Sequence, residues 1–372
     1  PSAPGRPPSA HPPRASPGTA RISPLRVLAM TDWSDGVLGG DGRVYGIPDT
    51  AEAVLCLDPI SGTASTFGKV GPGAHKWSGG VLGIDGQIYC VPWSHPAVLC
   101  ISPSARSVSL IMPQALGKFG ALEEDAVSDD HKWRGCVAAD DGNLYGVPWN
   151  SETVLCINPK EGAASCFGQV PEGGSKWAGA VLGGNGKIYC VPYDSPKVLV
   201  IDPSTLSVYT IGDFPSGRRR WRGGVLAGDG KIYGVPYNSL EVLCIDPTDD
   251  SVSTFGMVGG IRCKWRGGVL APDGRIYCVP DCASQVLCID PSARKCSTFG
   301  DLPDSRWKWR GGVLAGDGKI YCTPYDFTGS ILCIDPAERH AAAVGGIEIC
   351  GGHQLLGFVR SFAGQVLCTP LT

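Results

Sequence analysis

The chain has 372 residues, a formal net charge of −3 and a charged fraction of 18%. This near-neutral balance excludes a nucleic acid or a membrane surface held by global charge. No apolar run of 18 residues is present, so the sequence predicts no membrane span.

The first 20 residues are rich in Pro, Ser and Ala and differ from the rest of the chain. Such a composition cannot supply a packed core. The segment carries arginine, and the first acidic residue of the chain is Asp32. It is therefore interpreted either as a disordered linker or as an organelle targeting segment. Residues 21–372 are predicted to form one folded domain.

Seven copies of one motif follow, and its clearest form is K-W-R-G-G-V-L-A-G-D-G-K-I-Y-C-T-P at 308–324. Successive copies lie 44 residues apart, except for one step of 56 between the second and the third. A period of this size is typical of a propeller, a solenoid or an array. The copies begin near Trp33, Trp77, Trp133, Trp177, Trp221, Trp265 and Trp309.

Each copy predicts four short strands and no helix. In the copy 221–256, an apolar run and an alternating run flank Asp229-Gly230, which predicts a hairpin. Two further strands are predicted at 242–246 and 251–255, with a turn between them. Four antiparallel strands per copy indicate an all-β fold, a single β-propeller of four-stranded blades. A β-solenoid or a string of small β domains is the alternative.

Eight blades are preferred over seven because a half-repeat at 355–370 follows the seven full copies. Gly364–Pro370 matches Gly318–Pro324. The segment Ile22–Met30, which precedes the first copy, can add an outer strand to this half-blade. Pairing the two chain ends would close the ring and remove its exposed edges. A seven-bladed ring with a spare C-terminal hairpin is the alternative.

Two local features break or mark the repeat. Twelve extra residues lie around 113–130 and predict a surface loop. Glycine pairs such as Gly223-Gly224 open the first strand of several copies. Glycine inside a strand indicates a close backbone approach near the axis of the ring, or a bulge.

Most of the seventeen cysteines occupy two recurrent strand positions, where glycine or valine stands in other copies. A position that accepts these three residues is a packing position, and free cysteine packs as a small apolar residue. Free thiols predict an intracellular, reducing location, either cytoplasmic or in a plastid or mitochondrion. The alternative is a cross-strand disulfide, for example between Cys90 and Cys100 or between Cys278 and Cys288.

Strand polarity places the loops before each first strand and after each second strand on one face of the ring. Arginine and aromatic residues dominate binding energetics at interfaces, and a guanidinium group beside an aromatic ring suits the capture of carboxylate or phosphate. The candidate binding residues on this face are Arg134, Arg222, Arg266, Arg310, Trp93, Trp149, Asn150, Tyr193, Asp194, Tyr237, Asn238, Asp281, Tyr325 and Asp326.

Two other sets on this face have a simpler interpretation. The tryptophan that opens each copy, with the lysine or arginine before it, is interpreted as packing between blades. The run 218–222, Arg-Arg-Arg-Trp-Arg, is the densest positive patch. It is interpreted as a solvated surface, with an anionic partner as the alternative.

Catalytic and metal-binding motifs are absent from the sequence, so no cofactor and no metal are predicted. The preferred hypothesis is a non-enzymatic binding or scaffold propeller, with a protein partner in a larger assembly or an anionic small ligand or glycan. A lyase or hydrolase is the rival, and it requires residues such as His95, His131, Asp281 and Asp326 to meet at the channel mouth. A multivalent lectin is a third hypothesis.

The run D-G-K-I-Y followed by V-L-C-I-D-P resembles the blades of NHL, streptogramin-lyase-like and kelch propellers. The longer form K-W-x-G-G-V-L-A-x-D-G-x-I-Y-x-V-P is similar to a repeat found in proteins of unicellular algae and protists. The resemblance covers residues 33–370 and implies a propeller fold. It does not assign an activity, and no functional residue is transferred from these families.

Overall fold

The computed structural model describes residues 33–58, 61, 63–115, 131–215, 217–324, 330–346, 358–360 and 366–368. Every regular element in these residues is a β-strand. A search of the same residues for a helix able to cross a membrane found none.

Seven sheets each contain four antiparallel strands in sequence order. The first strands are β1 (Trp33–Leu38), β5 (Trp77–Leu82), β10 (Trp133–Ala138), β14 (Trp177–Leu182), β18 (Trp221–Leu226), β22 (Trp265–Leu270) and β26 (Trp309–Leu314). The second strands are β2 (Val44–Pro48), β6 (Ile88–Pro92), β11 (Leu144–Pro148), β15 (Ile188–Pro192), β19 (Ile232–Pro236), β23 (Ile276–Pro280) and β27 (Ile320–Pro324).

The outer half of each sheet follows in the same order. The third strands are β3 (Ala53–Asp58), β7 (Val98–Ser102), β12 (Val154–Asn158), β16 (Val198–Asp202), β20 (Val242–Asp246), β24 (Val286–Asp290) and β28 (Ser330–Asp335). The fourth strands are β4 (Thr63–Lys69), β8 (Ser107–Ile111), β13 (Ala163–Phe167), β17 (Ser207–Ile211), β21 (Ser251–Phe255), β25 (Lys295–Phe299) and β29 (His340–Gly346).

The first strands of consecutive sheets are neighbours from β1 to β26, so the sheets stand side by side as blades around a common axis. The protein is a β-propeller repeat protein with about seven four-stranded blades, numbered here 1 to 7 in chain order. A further two-stranded sheet, β30 (Phe358–Arg360) with β31 (Val366–Cys368), follows blade 7. Strand β30 approaches both β26 and β1. An eighth blade stays a prediction, since Ile22–Met30 lies outside the described residues.

The repeated D-G turn is fixed by a side-chain hydrogen bond. In blade 5 the hydroxyl of Tyr233 donates to Oδ2 of Asp229 at 2.7 Å, and five other blades have the same pair at 2.7–2.8 Å. In blade 4, where asparagine replaces the aspartate, Tyr189 donates instead to Asp250 of the next blade. The turn residue and the tyrosine four positions later therefore set the hairpin together.

The core lies between blades. The second strands are buried along their length in blades 1 to 6. The third strands of blades 2 to 6 are buried except at their last residue. One apolar cluster joins Tyr233 and Val235 of blade 5 to Trp265 and Ile276 of blade 6. The tryptophan that opens each copy is buried, and its indole N–H donates to a carbonyl of the same blade, as from Trp77 to Ala97 at 2.8 Å. These tryptophans pack between blades, as interpreted from the sequence.

The bulge and the close backbone approach predicted from the glycine pair are both observed. The pairing of β18 with β19 shifts register between Trp221 and Gly224, which is a bulge. Within the bulge, Gly223 adopts a φ of 85°. A Cβ built on Gly179 of blade 4 would lie 2.9 Å from Cα of Gly223. The first glycine of the pair therefore permits a bulge and a close backbone contact between neighbouring blades.

The extra residues between blades 2 and 3 contain more than the predicted loop. Strand β9 (Gln114–Ala115) pairs in parallel with β13 and adds a fifth strand to blade 3. Residues 116–130 lie outside the described part.

The cross-strand disulfides considered above do not fit the register. Cys90 pairs with Leu99, whereas Cys100 pairs with Tyr89. Because successive side chains of a strand point to opposite faces, the two thiols lie on different faces of the sheet. Cys278 and Cys288 have the same offset. Fifteen cysteines in the described part of the chain are free thiols.

Candidate functional site

A central cavity of about 630 Å³ opens on the predicted face, inside the ring of first strands. The bulge after each opening tryptophan re-aims the residue that follows it. Around the ring from blade 1 to blade 7, this position holds Ser34, Ser78, Arg134, Ala178, Arg222, Arg266 and Arg310, and all seven line the cavity. The cavity is therefore cationic on blades 3, 5, 6 and 7 and lined by small residues on blades 1, 2 and 4.

Aromatic residues that follow the second strands support two of these arginines. The guanidinium of Arg134 lies 4.6 Å from the ring centroid of Trp149 and 5.5 Å from that of Trp93. The guanidinium of Arg222 lies 5.3 Å from the ring of Tyr237 and 5.7 Å from that of Tyr193. Each arginine is thus held between the aromatic residue of its own blade and that of the blade before.

The four rings also contact one another in an arc across blades 2 to 5. Their centroids are 5.7 Å apart from Trp93 to Trp149, 5.1 Å from Trp149 to Tyr193, and 6.0 Å from Tyr193 to Tyr237. Trp149, Tyr193 and Tyr237 are buried, while Trp93 lines the cavity. Three of these four aromatic residues are therefore buried supports for arginine, and Trp93 alone of the four lines the cavity.

The four guanidinium groups share one low-dielectric space. Burial, together with the charges of Arg222 and Arg266, holds the pKa of Arg134 well below its usual range. Burial and the neighbouring arginines lower the pKa of Arg266 and of Arg310 in the same way. Guanidinium groups stay protonated in proteins, so the arginines give this cavity a positive charge.

Two aspartates lie among these arginines. Asp35 lines the cavity at a position that is glycine in the other six copies. Burial raises the pKa of Asp35 to about 6, opposed by the N–H of Gly36 and the charge of Arg310. Asp281 is fully buried; burial raises its pKa, opposed first by Arg266. Its Oδ2 has no hydrogen-bond partner among the described residues.

A histidine and an aspartate meet at the cavity wall formed by blades 1 and 2. Nδ1 of His75 lies 3.4 Å from Oδ1 of Asp49, and both residues line the cavity. His131 stacks on Trp93 with ring centroids 4.6 Å apart. His95 instead packs against Trp77 at 4.5 Å, and its Nδ1 accepts the N–H of Ala97. Of the histidines proposed for a catalytic site, His131 is thus near the mouth, while His95 stabilises a turn.

A chain of backbone hydrogen bonds runs around this face. The N–H of Lys176 donates to the carbonyl of Trp149 at 3.0 Å, and the N–H of Tyr193 donates to the carbonyl of Lys176 at 2.8 Å. The same pair of bonds recurs from Asp49 in blade 1 to Lys308 before blade 7. The lysine side chains are buried beneath it; Nζ of Lys176 donates to three backbone carbonyls at 2.9–3.1 Å. They are structural, as interpreted from the sequence.

The predicted amide and carboxylate residues next to the aromatic arc cap the following loop. Oδ1 of Asn150 accepts the N–H of Ser175 at 2.8 Å, Asp194 accepts that of Arg219 at 2.6 Å, and Asn238 accepts that of Cys263 at 2.8 Å. The capped residues belong to a set with left-handed backbone, at φ of 45–58°. This set, called the rim positions, comprises His75, His131, Ser175, Arg219, Cys263 and Trp307.

The structure therefore brings together part of the predicted site. Arg134, Arg222, Arg266, Arg310 and Trp93 meet at the cavity, and Trp149, Tyr193 and Tyr237 support it. Asp281 is buried, and its charge acts on Arg266. Asn150, Asp194 and Asn238 hold loops. Tyr325 and Asp326 lie outside the described residues. Sequence reasoning missed Asp35, although its replacement of a repeated glycine was visible, and it missed the pairing of Asp49 with His75. No three His, Cys, Asp or Glu side chains cluster as metal ligands within the described ranges.

In sequence, no family model and no curated protein matches the chain. In three dimensions it is similar to virginiamycin B lyase from Staphylococcus aureus, at 12% identity and a TM-score of 0.62, over 80% of this chain and 94% of that one. It is also similar to a streptogramin B lyase, at 15% identity and a TM-score of 0.60, over 80% and 92% of the two chains. Hydrazine synthase from Kuenenia stuttgartiensis matches at 11% identity and a TM-score of 0.53, over 88% and 99%. At these identities the similarity shows the propeller fold alone.

Proposed function

We propose that this propeller binds an anionic small ligand, bearing carboxylate or phosphate, in its central cavity. The observation that carries the proposal is the convergence of Arg134, Arg222, Arg266 and Arg310 on one cavity. Charge-assisted hydrogen bonds from guanidinium groups are the strongest and most directional that a protein offers to such anions. The cavity volume of about 630 Å³ suits a small molecule.

The asymmetry of the ring favours one ligand per chain. Three consecutive blades, 5 to 7, present arginine, while blades 1 and 2 present Ser34, Ser78 and Asp35. An anionic group held by Arg222, Arg266 and Arg310 would leave the rest of the ligand facing hydroxyl and carboxylate groups. A lectin with one site per blade would need equivalent residues around the ring. The position after the opening tryptophan instead holds serine, arginine or alanine, depending on the blade.

Titration calorimetry tests the proposal with inorganic phosphate and citrate as probes and glycerol as a neutral control. We expect one bound anion per chain, no binding of glycerol, and an affinity at least about tenfold weaker for each arginine replaced by glutamine. Arg306→Gln, on the exposed surface and outside the cavity, is the matched control and should bind normally. Equal affinity in wild type and in the variant Arg222→Gln/Arg266→Gln/Arg310→Gln, or no anion bound by wild type, would overturn the proposal.

A lyase that acts on the bound anion is a second candidate function. It is favoured by the contact of His75 with Asp49 at the cavity wall, since an oriented histidine is a common general base. Two structurally similar propellers are lyases by name. NMR of a bound anion over time would reveal turnover, and His75→Gln should then abolish turnover without loss of binding. Recovery of every bound anion unchanged would reject the enzymatic candidate.

A further inference from the structure

A second concave site lies on the same face, separate from the central cavity. It is a groove between the loop that joins β17 to β18 and the loop that joins β21 to β22, with a volume of about 710 Å³. Arg218 and Arg219 form one rim, and Gly260, Ile261 and Arg262 form the other. None of these residues lines the central cavity.

One residue at the floor of the groove fixes both rims. Oδ1 of Asn238 accepts the N–H of Cys263 at 2.8 Å, and its Nδ2 donates to the carbonyl of Arg218 at 3.1 Å. The backbone N–H of Asn238 donates to the carbonyl of Arg219 at 2.9 Å. The separation of the rims is therefore set before any partner arrives, which lowers the entropic cost of binding.

The groove combines positive charge with exposed apolar surface. Arg218, Arg219 and Arg262 are exposed, and no acidic side chain is among its described lining residues. Ile261 is 54% exposed, and Met257 on the same loop is 75% exposed. Leu240, 47% exposed, is held beside Met257 by the bond from the N–H of Val258 to its carbonyl at 2.8 Å. Large apolar side chains exposed together mark interaction sites.

The backbone adds an independent observation. Arg219 and Cys263 adopt φ of 57° and 58°, a conformation that favours glycine. If the loop served only to connect strands, glycine would stabilise these positions. The left-handed backbone places the long cationic side chain of Arg219 at the rim of the groove.

We infer that this groove docks an acidic peptide segment that carries a large apolar side chain. The acidic residues pair with Arg218, Arg219 and Arg262, and the apolar side chain covers Ile261 and Met257. Arginine and large apolar residues are those that contribute most at interfaces. Since the charges are exposed, the affinity should fall as salt is raised.

Gly260 can be substituted without strain, because a Cβ there would meet no atom within 4 Å and its backbone conformation does not require glycine. Gly260→Glu places a negative charge on the rim, and Gly260→Gln is its uncharged control of equal size. The probe is a display library of random 12-residue peptides, selected on the full chain. Enriched peptides are synthesised, and their binding is measured by fluorescence anisotropy at two salt concentrations.

We expect the enriched peptides to be acidic, to contain Leu, Ile, Phe or Trp, and to bind Gly260→Glu at least tenfold more weakly than Gly260→Gln. Neutral or basic peptides, no enrichment, or equal binding to the two variants would overturn the inference. Arg222→Gln, in the cavity, should not change peptide binding; a loss there with none in Gly260→Glu would assign the peptide to the cavity. A dimer in sedimentation that Gly260→Glu dissociates would identify a second copy as the occupant instead.

Discussion

Replacing Arg134 with methionine should leave the stability of the ligand-free protein nearly unchanged while weakening its affinity for anions. Methionine keeps an unbranched apolar chain between Trp93 and Trp149 but gives up two cation–π contacts, worth about 0.5–2 kcal/mol each. It also removes a buried charge from the repulsive field of Arg222 and Arg266. Apolar replacement of buried ionic groups stabilises by about 1–4 kcal/mol. Two contacts amount to about 1–4 kcal/mol lost, which matches the gain, so the free energy of unfolding without an anion should change by less than about 1 kcal/mol.

Urea denaturation with and without phosphate separates the two effects. Phosphate at 100 times its Kd adds about 2.7 kcal/mol to the wild type and less to the variant, so the wild type should become the more stable of the two. Arg306→Met, which replaces an exposed arginine on the same face, serves as the control and should gain as much stability from phosphate as the wild type. If Arg134→Met lowers the free energy of unfolding by about 2 kcal/mol or more without phosphate, protein groups already satisfy Arg134, and the cavity does not require an anion.

Three further predictions concern the groups around the cavity. Burial raises the pKa of Asp35 from 3.8 to about 6, so the free energy of unfolding should fall by roughly 3 kcal/mol as pH rises through this window. Urea unfolding of Asp35→Asn measured against pH should lack that loss. A pH profile equal to that of the wild type would contradict the assignment. Lys176→Met leaves three backbone carbonyls without their ammonium donor and should lower the free energy of unfolding by about 3 kcal/mol, whereas a loss below about 1 kcal/mol would show that water replaces the donor. Gly179→Ala forces a Cβ against Gly223 at positive φ and should destabilise by about 2–3 kcal/mol in thermal unfolding, while Gly184→Ala, at an open position, should have little effect.

The blade architecture could be predicted because its signals are local and repeated. The hairpin predicted around Asp229-Gly230 is observed as β18 and β19. Each copy carries its own turn, a tyrosine four residues after the turn aspartate or asparagine, and its own apolar strands. All seven copies therefore predict the same four strands. The number of blades depends on how the chain ends meet, and a local pattern does not encode that contact.

The candidate site could be predicted only in part, because the role of each aromatic residue depends on a bulge. The sequence placed Arg134 and Trp149 on one face, but the bulge decides that Arg134 reaches the cavity and that Trp149 is buried beneath it. Asn150 is a second example. Different residues occupy its position in other blades, which suggested a functional role, yet its side chain holds the loop at Ser175. The residue types were enough to predict which face carries the site. Which of these residues lines the cavity, which supports an arginine and which caps a loop depends on the three-dimensional structure.

At the rim positions the backbone is fixed by hydrogen bonds, while the side chains differ from blade to blade. Their left-handed backbone, at φ of 45–58°, is held by the backbone hydrogen bonds around the face and, at three of them, by the amide or carboxylate cap. Their six side chains already differ in size, charge and hydrogen-bonding capacity. Point substitution here can alter recognition while leaving folding to the frame beneath, so specificity can drift between relatives faster than the fold does. The same property makes the rim a natural place to build a combinatorial library for selecting new binders.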